Sequence, residues 1–251
     1  MKFVRDTWLI FQRQMLLVVR TPIRLVIGFA QPISYLLLFA PLLKSALGAS
    51  TYKQAYQIYI PGLLVILVLL GGFFTGFGLL AELQTGVIER SRVTPISRFA
   101  LLLGRALSEV VTLICQAIII TALSIPFGLT VPIGDLVLAY VLLILMGLMA
   151  ASVSYAVALL IRSPAALGPI INVVSQPLAL LSGVLLPLAL APHWLLSIAH
   201  WNPFYWATNG IRALFTGDIA DNSVWEGGLI LAVLAALSVV WSTRLFAHRV
   251  R

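Results

Sequence analysis

The chain has 251 residues, 61% hydrophobic and 10% charged, with a formal net charge of +8 and a mean hydropathy of +1.06. A soluble domain carries about a quarter charged residues, so a soluble enzyme is excluded and the chain is a polytopic membrane protein. Its basic residues are dispersed rather than gathered in one block, which argues against a nucleic-acid partner and makes their placement a report on topology.

The first residues, Met1 to Asp6, interleave charged and apolar groups instead of leading into an apolar run, so no cleavable signal is expected. Over 3–20, Val4, Trp8, Phe11, Met15 and Val18 recur at spacings of four and three and share one helical face, with Lys2, Asp6, Arg13 and Arg20 opposite. That pattern describes an amphipathic helix lying in the membrane interface; packing on a soluble partner is the alternative. Pro22 ends it.

Six apolar stretches then reach spanning length: Leu25–Leu43, Ile58–Leu80, Leu101–Ile125, Leu136–Ile161, Ala166–Leu188 and Gly227–Phe246. The fold expected is therefore all-α, a single transmembrane domain over 1–251 with six transmembrane helices. Pro32 and Pro177 fall inside spans one and five and are expected to bend them. Cys115 lies in an apolar run, where it reads as a small core residue, and a lone cysteine cannot form an intrachain disulfide. Placing both termini and the loops after spans two and four on one side gathers thirteen of the sixteen basic residues there. The positive-inside rule makes that side cytoplasmic.

Two connections are longer than a turn. The cytoplasmic one, 81–100, carries Glu82, Glu89, Arg90, Arg92 and Arg98. The external one, 189–226, holds four of the six tryptophans, Trp194, Trp201, Trp206 and Trp225. Its aromatic and apolar content predicts two short re-entrant helices at headgroup depth, joined near Asn202-Pro203.

Familiar enzyme chemistry is missing. None of Lys2, Lys44 and Lys53 follows a glycine-rich turn, so no P-loop is present. His193, His200 and His248 have no metal-site spacing, and neither a cofactor nor a metal is expected on this chain. Glu109 is the one acid well inside a span; it stands one turn after Arg105, which suggests a local pair and gives little support to an ion-coupled carrier. The remaining polar residues within spans include Gln31, Ser34, Asn172, Ser175 and Gln176. In hydrocarbon such groups need partners, and they serve either as interhelical hydrogen bonds or as a substrate path. Gly72 and Gly76 form a Gly-x-x-x-Gly pair, a pattern also frequent by chance in glycine-rich spans.

The run Glu82, Gly86, Glu89-Arg90, Arg92, Pro95, Arg98, followed by Leu103-Gly104-Arg105, resembles the type-2 ABC exporter permeases, especially their daunorubicin-resistance-like and nodulation-export-like branch. Asn202-Pro203, followed by Gly210-Ile211-Arg212-Ala213-Leu214 and Gly217, carries the second point of resemblance; length, six spans, amphipathic start and basic tail fit as well, so the likeness covers essentially the whole chain. It implies a permease in a bacterial-type inner membrane, paired with a second permease copy and two ABC ATPase subunits that use ATP and Mg. It further implies an ATPase-coupling role for Glu82, Gly86, Glu89, Arg90, Arg92, Pro95 and Arg98, and a capping role for the external segment with Trp201, Asn202, Pro203 and Arg212. Gln31, Ser34, Asn172, Ser175 and Gln176 are the candidates for the pathway of a hydrophobic or amphipathic cargo such as a drug, lipid or glycolipid. The competing function is a membrane scaffold or assembly protein without a pathway of its own.

Overall fold

The computed structural model describes residues 2–21, 23, 26, 28–30, 32–38, 52–86, 97–184, 188 and 191–249. They form α1 (Lys2–Arg20), α2 (Tyr52–Gln84), α3 (Arg98–Ser124), α4 (Ile133–Ile161), α5 (Pro164–Leu181), α6 (His193–Ala199), α7 (Pro203–Thr216) and α8 (Asn222–Arg249). A further helical run covers 32–38, and no strand occurs among the described residues. α2, α3, α4, α5 and α8 are long and apolar enough to cross a membrane, and they overlap the second to sixth expected spans. The first, Leu25–Leu43, lies partly outside the described residues and is helical at 28–30 and 32–38.

Two boundaries differ most from expectation. α2 starts at Tyr52 rather than Ile58, and its 33 residues give about 50 Å of helix against a hydrocarbon core of about 30 Å. α5 stops at Leu181, short of the expected Leu188, because Gly183 takes a left-handed φ of 71° immediately afterwards. Between α4 and α5 the turn is only two residues long. Arg162 adopts φ 55° and donates its N–H to the Ala158 carbonyl (2.9 Å), and Pro164 then opens α5.

Packing is centred on α4, whose most extensive contacts are with α2 and α8. In a bilayer no hydrophobic drive separates helix from lipid, so small residues that allow close backbone approach decide which helices meet. The Gly72–Gly76 pair does this. A Cβ on Gly72 would lie 2.7 Å from Ala150 Cβ, and one on Gly76 would lie 2.6 Å from Ser154 Oγ. The Gly76 N–H donates to Ser154 Oγ (2.9 Å), and that hydroxyl donates to the Phe73 carbonyl. A second tight crossing joins α7 and α8, where Gly210 abuts the Ser223 carbonyl and Gly227 the Trp206 carbonyl. α7 is thereby inserted among α2, α4 and α8, with Phe204, Ile211, Leu214 and Phe215 buried.

α1 packs along α3, but not on the expected stripe. Thr7, Ile10 and Val18 are buried, and Gly104 lets the Thr7 carbonyl and Ile10 come within 3 Å of where its Cβ would be. The stripe is split: Val18 is buried, while Val4 and Trp8 remain 68% and 56% exposed. A second correction concerns Cys115, which is exposed on α3 and not part of the core.

Candidate functional site

At the end where α1, α2 and α3 meet, one carboxylate gathers three helices. Glu82, in the last turn of α2, is ion-paired with Arg105 of α3 through Oε2 and accepts from Gln14 Nε2 of α1 through Oε1 (2.9 Å). Both charges are largely removed from solvent, with side chains 7% (Arg105) and 17% (Glu82) exposed. Helical spacing suggested a local pair of Arg105 with Glu109; the structure shows an ion pair of Arg105 with an acid on a different helix. Phe3 stacks on Phe99 (centroids 5.4 Å) and ties the start of α1 to the start of α3.

The segment between α2 and α3 leaves and returns through defined caps. Gly86 takes φ 68° just past α2, a left-handed conformation that favours glycine. Ser97 caps α3 by accepting from the Ala100 N–H (3.1 Å). Glu89, Arg90, Arg92 and Pro95 lie outside the described residues, as does the side chain of Arg98, the first residue of α3. What is on view is the root of the expected coupling segment: Glu82, Gly86 and their anchors.

The second constellation sits at the C-terminal end of α5. A helix end leaves carbonyls without intrahelical partners, and here they are met by side chains from the segment that follows. Asn202 caps α7, its Oδ1 accepting from the Phe204 N–H (3.0 Å), while its Nδ2 donates to the Leu178 carbonyl (2.8 Å). Arg212 donates from Nη2 to the Gly183 carbonyl (2.6 Å) and the Val184 carbonyl (3.3 Å), and from Nε to the Ile58 carbonyl of α2 (3.4 Å). Gly62 makes room, since a Cβ there would lie 2.3 Å from the Val184 oxygen. Burial lowers the Arg212 pKa to about 10, which leaves the guanidinium charged at neutral pH. Pro203 occupies the first turn of α7, where its missing N–H is harmless.

The aromatic segment forms two short helices, α6 and α7, joined over 200–202, beside the expected Asn202-Pro203 junction. Trp201 is 91% exposed. Trp206 donates to the His200 carbonyl (2.9 Å), and the His200 ring packs on Tyr205 and Trp206.

Of the pathway candidates, Asn172, Ser175 and Gln176 lie within about one turn of one another on α5. Gln31 lies outside the described residues. Ser34 is exposed and donates to the Ala30 carbonyl (2.7 Å). On α5, Asn172 and Gln176 are exposed, whereas Ser175 faces inward, fully buried, its hydroxyl without a hydrogen-bond partner. Sequence reasoning missed the anchors, Gln14 and the Leu178, Gly183 and Val184 carbonyls, because each partnership joins separate elements.

Comparison with known proteins gives the chain a family. A family model described as ABC-2 type transporter matches residues 5–216. Similar proteins include the ycf38 protein of Cyanophora paradoxa, 28% identical over 85% of this chain and 75% of that protein. The daunorubicin resistance ABC transporter permease protein DrrB1 of Streptomyces coeruleorubidus is 27% identical over 88% of this chain and 77% of its own. The probable multidrug ABC transporter permease YbhR of Escherichia coli K12 is 23% identical over 76% of this chain and 52% of its own.

Proposed function

The chain belongs to the ABC-2 type transporter family, and from that premise we propose that it is the permease subunit of an ATP-driven exporter. It would move a hydrophobic or amphipathic substrate, of the drug, lipid or glycolipid class, out of the cytoplasm or inner leaflet. Two relatives named for daunorubicin resistance and multidrug transport support that substrate class. ATP and Mg would be used by a separate ABC ATPase, two copies per transporter, since this chain has no P-loop of its own.

The observation that carries the reading is the Gln14–Glu82–Arg105 knot. It fixes α1, α2 and α3 to one another at the root of the 87–96 segment, so a push on that segment acts on three helices as one body. Glu89, Arg90, Arg92, Pro95 and Arg98 would make the contact with the ATPase, and Glu82 and Gly86 would transmit it. α1 would lie at the inner surface with Val4 and Trp8 toward the acyl chains, and both termini would be cytoplasmic.

A second copy of the chain completes the transporter in this reading. α5 is the least buried of the five spanning helices, and it exposes two amides, Asn172 and Gln176. Such groups need partners in hydrocarbon, which a symmetric dimer supplies along α5.

The test is gentle detergent purification from the native membrane, with mass spectrometry of what stays bound. An ABC ATPase at a one-to-one ratio, with substrate-stimulated hydrolysis, is the expected result. A permease band alone, under conditions that preserve other such complexes, favours the scaffold reading instead.

A further inference from the structure

Arg212 has more donors than its carbonyl partners engage. Nε and Nη2 reach Ile58, Gly183 and Val184, but Nη1 has no hydrogen-bond partner and no carboxylate within ion-pair reach among the described residues. Nη1 is not sealed in, because Ser175 Oγ is the one buried side-chain nitrogen or oxygen without a partner among those residues. Arg212 lines a pocket of about 430 Å³ that lies between the start of α2, the end of α7 and the start of α8, a volume within the range of small-molecule sites.

Asn209, Arg212 and Thr216 recur at three and four residues and set one face of α7 toward this pocket. Gln57 adds an amide from α2 and Ser223 a hydroxyl from α8, and only Ile58 and Ala213 among the described lining residues are apolar. The second charge on the wall is Asp221. Its Oδ1 accepts from the Ser223 N–H (2.7 Å) and its other oxygen is left over. No ion pair joins Arg212 to Asp221. Further acids stand nearby: Asp218 follows α7, and Asp135 Oδ2 lies 4.0 Å from where a Cβ on Gly217 would be. Lys53 sits beside Gly128 and does not line the pocket.

A guanidinium within an acidic rim suits neither a simple anion, which the acids repel, nor a simple cation, which Arg212 repels. Its complement carries both charges, the anion inward at Nη1 and an ammonium outward at Asp221. Guanidinium groups favour phosphate and carboxylate oxygens. Gln57 and Ser223 lie within about two turns of the starts of α2 and α8, where spanning helices leave the hydrocarbon for the headgroups.

We infer that this pocket holds a phosphoethanolamine group, its phosphate on Arg212 Nη1 beside the Asn209 amide and its ammonium on the Asp221 carboxylate. The group arrives either on a membrane lipid or as a free headgroup ester. Nothing in this inference rests on the permease reading.

The lipid arm compares dioleoylphosphatidylethanolamine with dioleoylphosphatidylglycerol, which share phosphodiester and acyl chains and differ in the ammonium. The delipidated full-length chain in detergent is titrated with each, and bound lipid is counted by native mass spectrometry. The expected preference for the ammonium lipid is about tenfold, the scale of one charge-assisted hydrogen bond. Asp221→Asn keeps an acceptor for the Ser223 N–H and should lose the preference, while Asn209→Leu should weaken both lipids several-fold. Equal binding of the two lipids by the parent, a preference undiminished in Asp221→Asn, or binding unmoved in Asn209→Leu overturns the proposal. Ser223→Cys in a Cys115→Ser background places a reporter in the pocket, and maleimide labelling of it should be slowed by the ammonium lipid. The soluble arm repeats that labelling with glycerophosphoethanolamine and glycerophosphoglycerol. Protection by the soluble ammonium ester supports the site with a free ligand, and protection by the lipid alone supports it with a bilayer lipid. Protection by neither overturns it.

Discussion

Arg105 of α3 forms its ion pair with Glu82 at the end of α2, although Glu109 stands one helical turn away on its own helix. Removing one partner from a largely buried pair leaves an uncompensated charge and costs about 3 kcal/mol or more. Arg105→Ala and Glu82→Ala should each lower the melting temperature of the purified chain. Gln14→Ala, which loses one hydrogen bond to the charged Glu82, should cost about 1–2 kcal/mol. The exchange Glu82→Arg with Arg105→Glu should recover part of the loss; equal melting of parent and single variants would show the pair to be idle.

The α2–α4 crossing offers a cleaner cycle. Gly72→Ala brings a methyl to 2.7 Å from Ala150 Cβ, an overpacking worth about 1–3 kcal/mol. Ala150→Gly removes the clashing atom, so the double variant should be more stable than Gly72→Ala alone. Simple additivity of the two changes in a thermal-shift measurement would contradict the crossing.

At the end of α5, Asn202→Ala deletes both a cap and the partner of the Leu178 carbonyl and should cost about 1–2 kcal/mol. Arg212→Lys keeps the charge but loses the forked geometry that reaches two elements at once, so it should be intermediate between the parent and Arg212→Ala. The sign of the pH effect follows from burial. A base held at about 10 in the fold keeps its proton in folded and unfolded chains alike below that value, so Arg212 adds no pH dependence from about pH 6 to 8. A melting temperature that moves over that interval in the parent but not in Arg212→Ala would contradict this.

Glu89→Ala combined with Arg90→Ala should abolish ATP-driven transport while leaving membrane insertion and thermal stability unchanged. Vesicle uptake assays beside a melting curve separate the two effects. Full transport by the inserted double variant would remove the coupling role.

For the dimer, Asn172→Cys or Gln176→Cys in a Cys115→Ser background should form an oxidant-induced crosslink between copies, as residues near a two-fold axis do. Leu167→Cys, on the buried side of α5, should stay monomeric on a denaturing gel. Equal crosslinking at both positions would place the interface elsewhere.

Much of the fold was legible because length and apolarity suffice to mark a span, and because prolines and aromatic clusters punctuate its ends. The helical pair joined over 200–202 was legible for the same reason. The early stop of α5 had a local sign, Ser182-Gly183, but in an unbroken apolar run a glycine is weak evidence for an end. The pairing of Arg105 with Glu82 had no local sign at all, since it depends on which helix α3 packs against. The same holds for Asn202 and Arg212. Their motifs could be read, but their task, satisfying carbonyls of a helix that precedes them, emerges only when α5 and α7 are side by side. Where α1 turns its face was half legible, because an apolar stripe does not say how much of it goes to protein and how much to lipid.

The seat of α7 among α2, α4 and α8 has a consequence for how the molecule is made. α2, α4 and α5 leave the ribosome before Pro203, so their slot stands open and the Leu178, Gly183 and Val184 carbonyls lack their side-chain donors while synthesis continues. The α7–α8 hairpin, drawn together at Gly210 and Gly227, follows them in the chain and fills the slot. A chain cut short before Pro203 would therefore hold α2 to α5 and still leave those carbonyls without their side-chain donors. Filling of that slot waits for the α7–α8 hairpin, however long the helices that precede it.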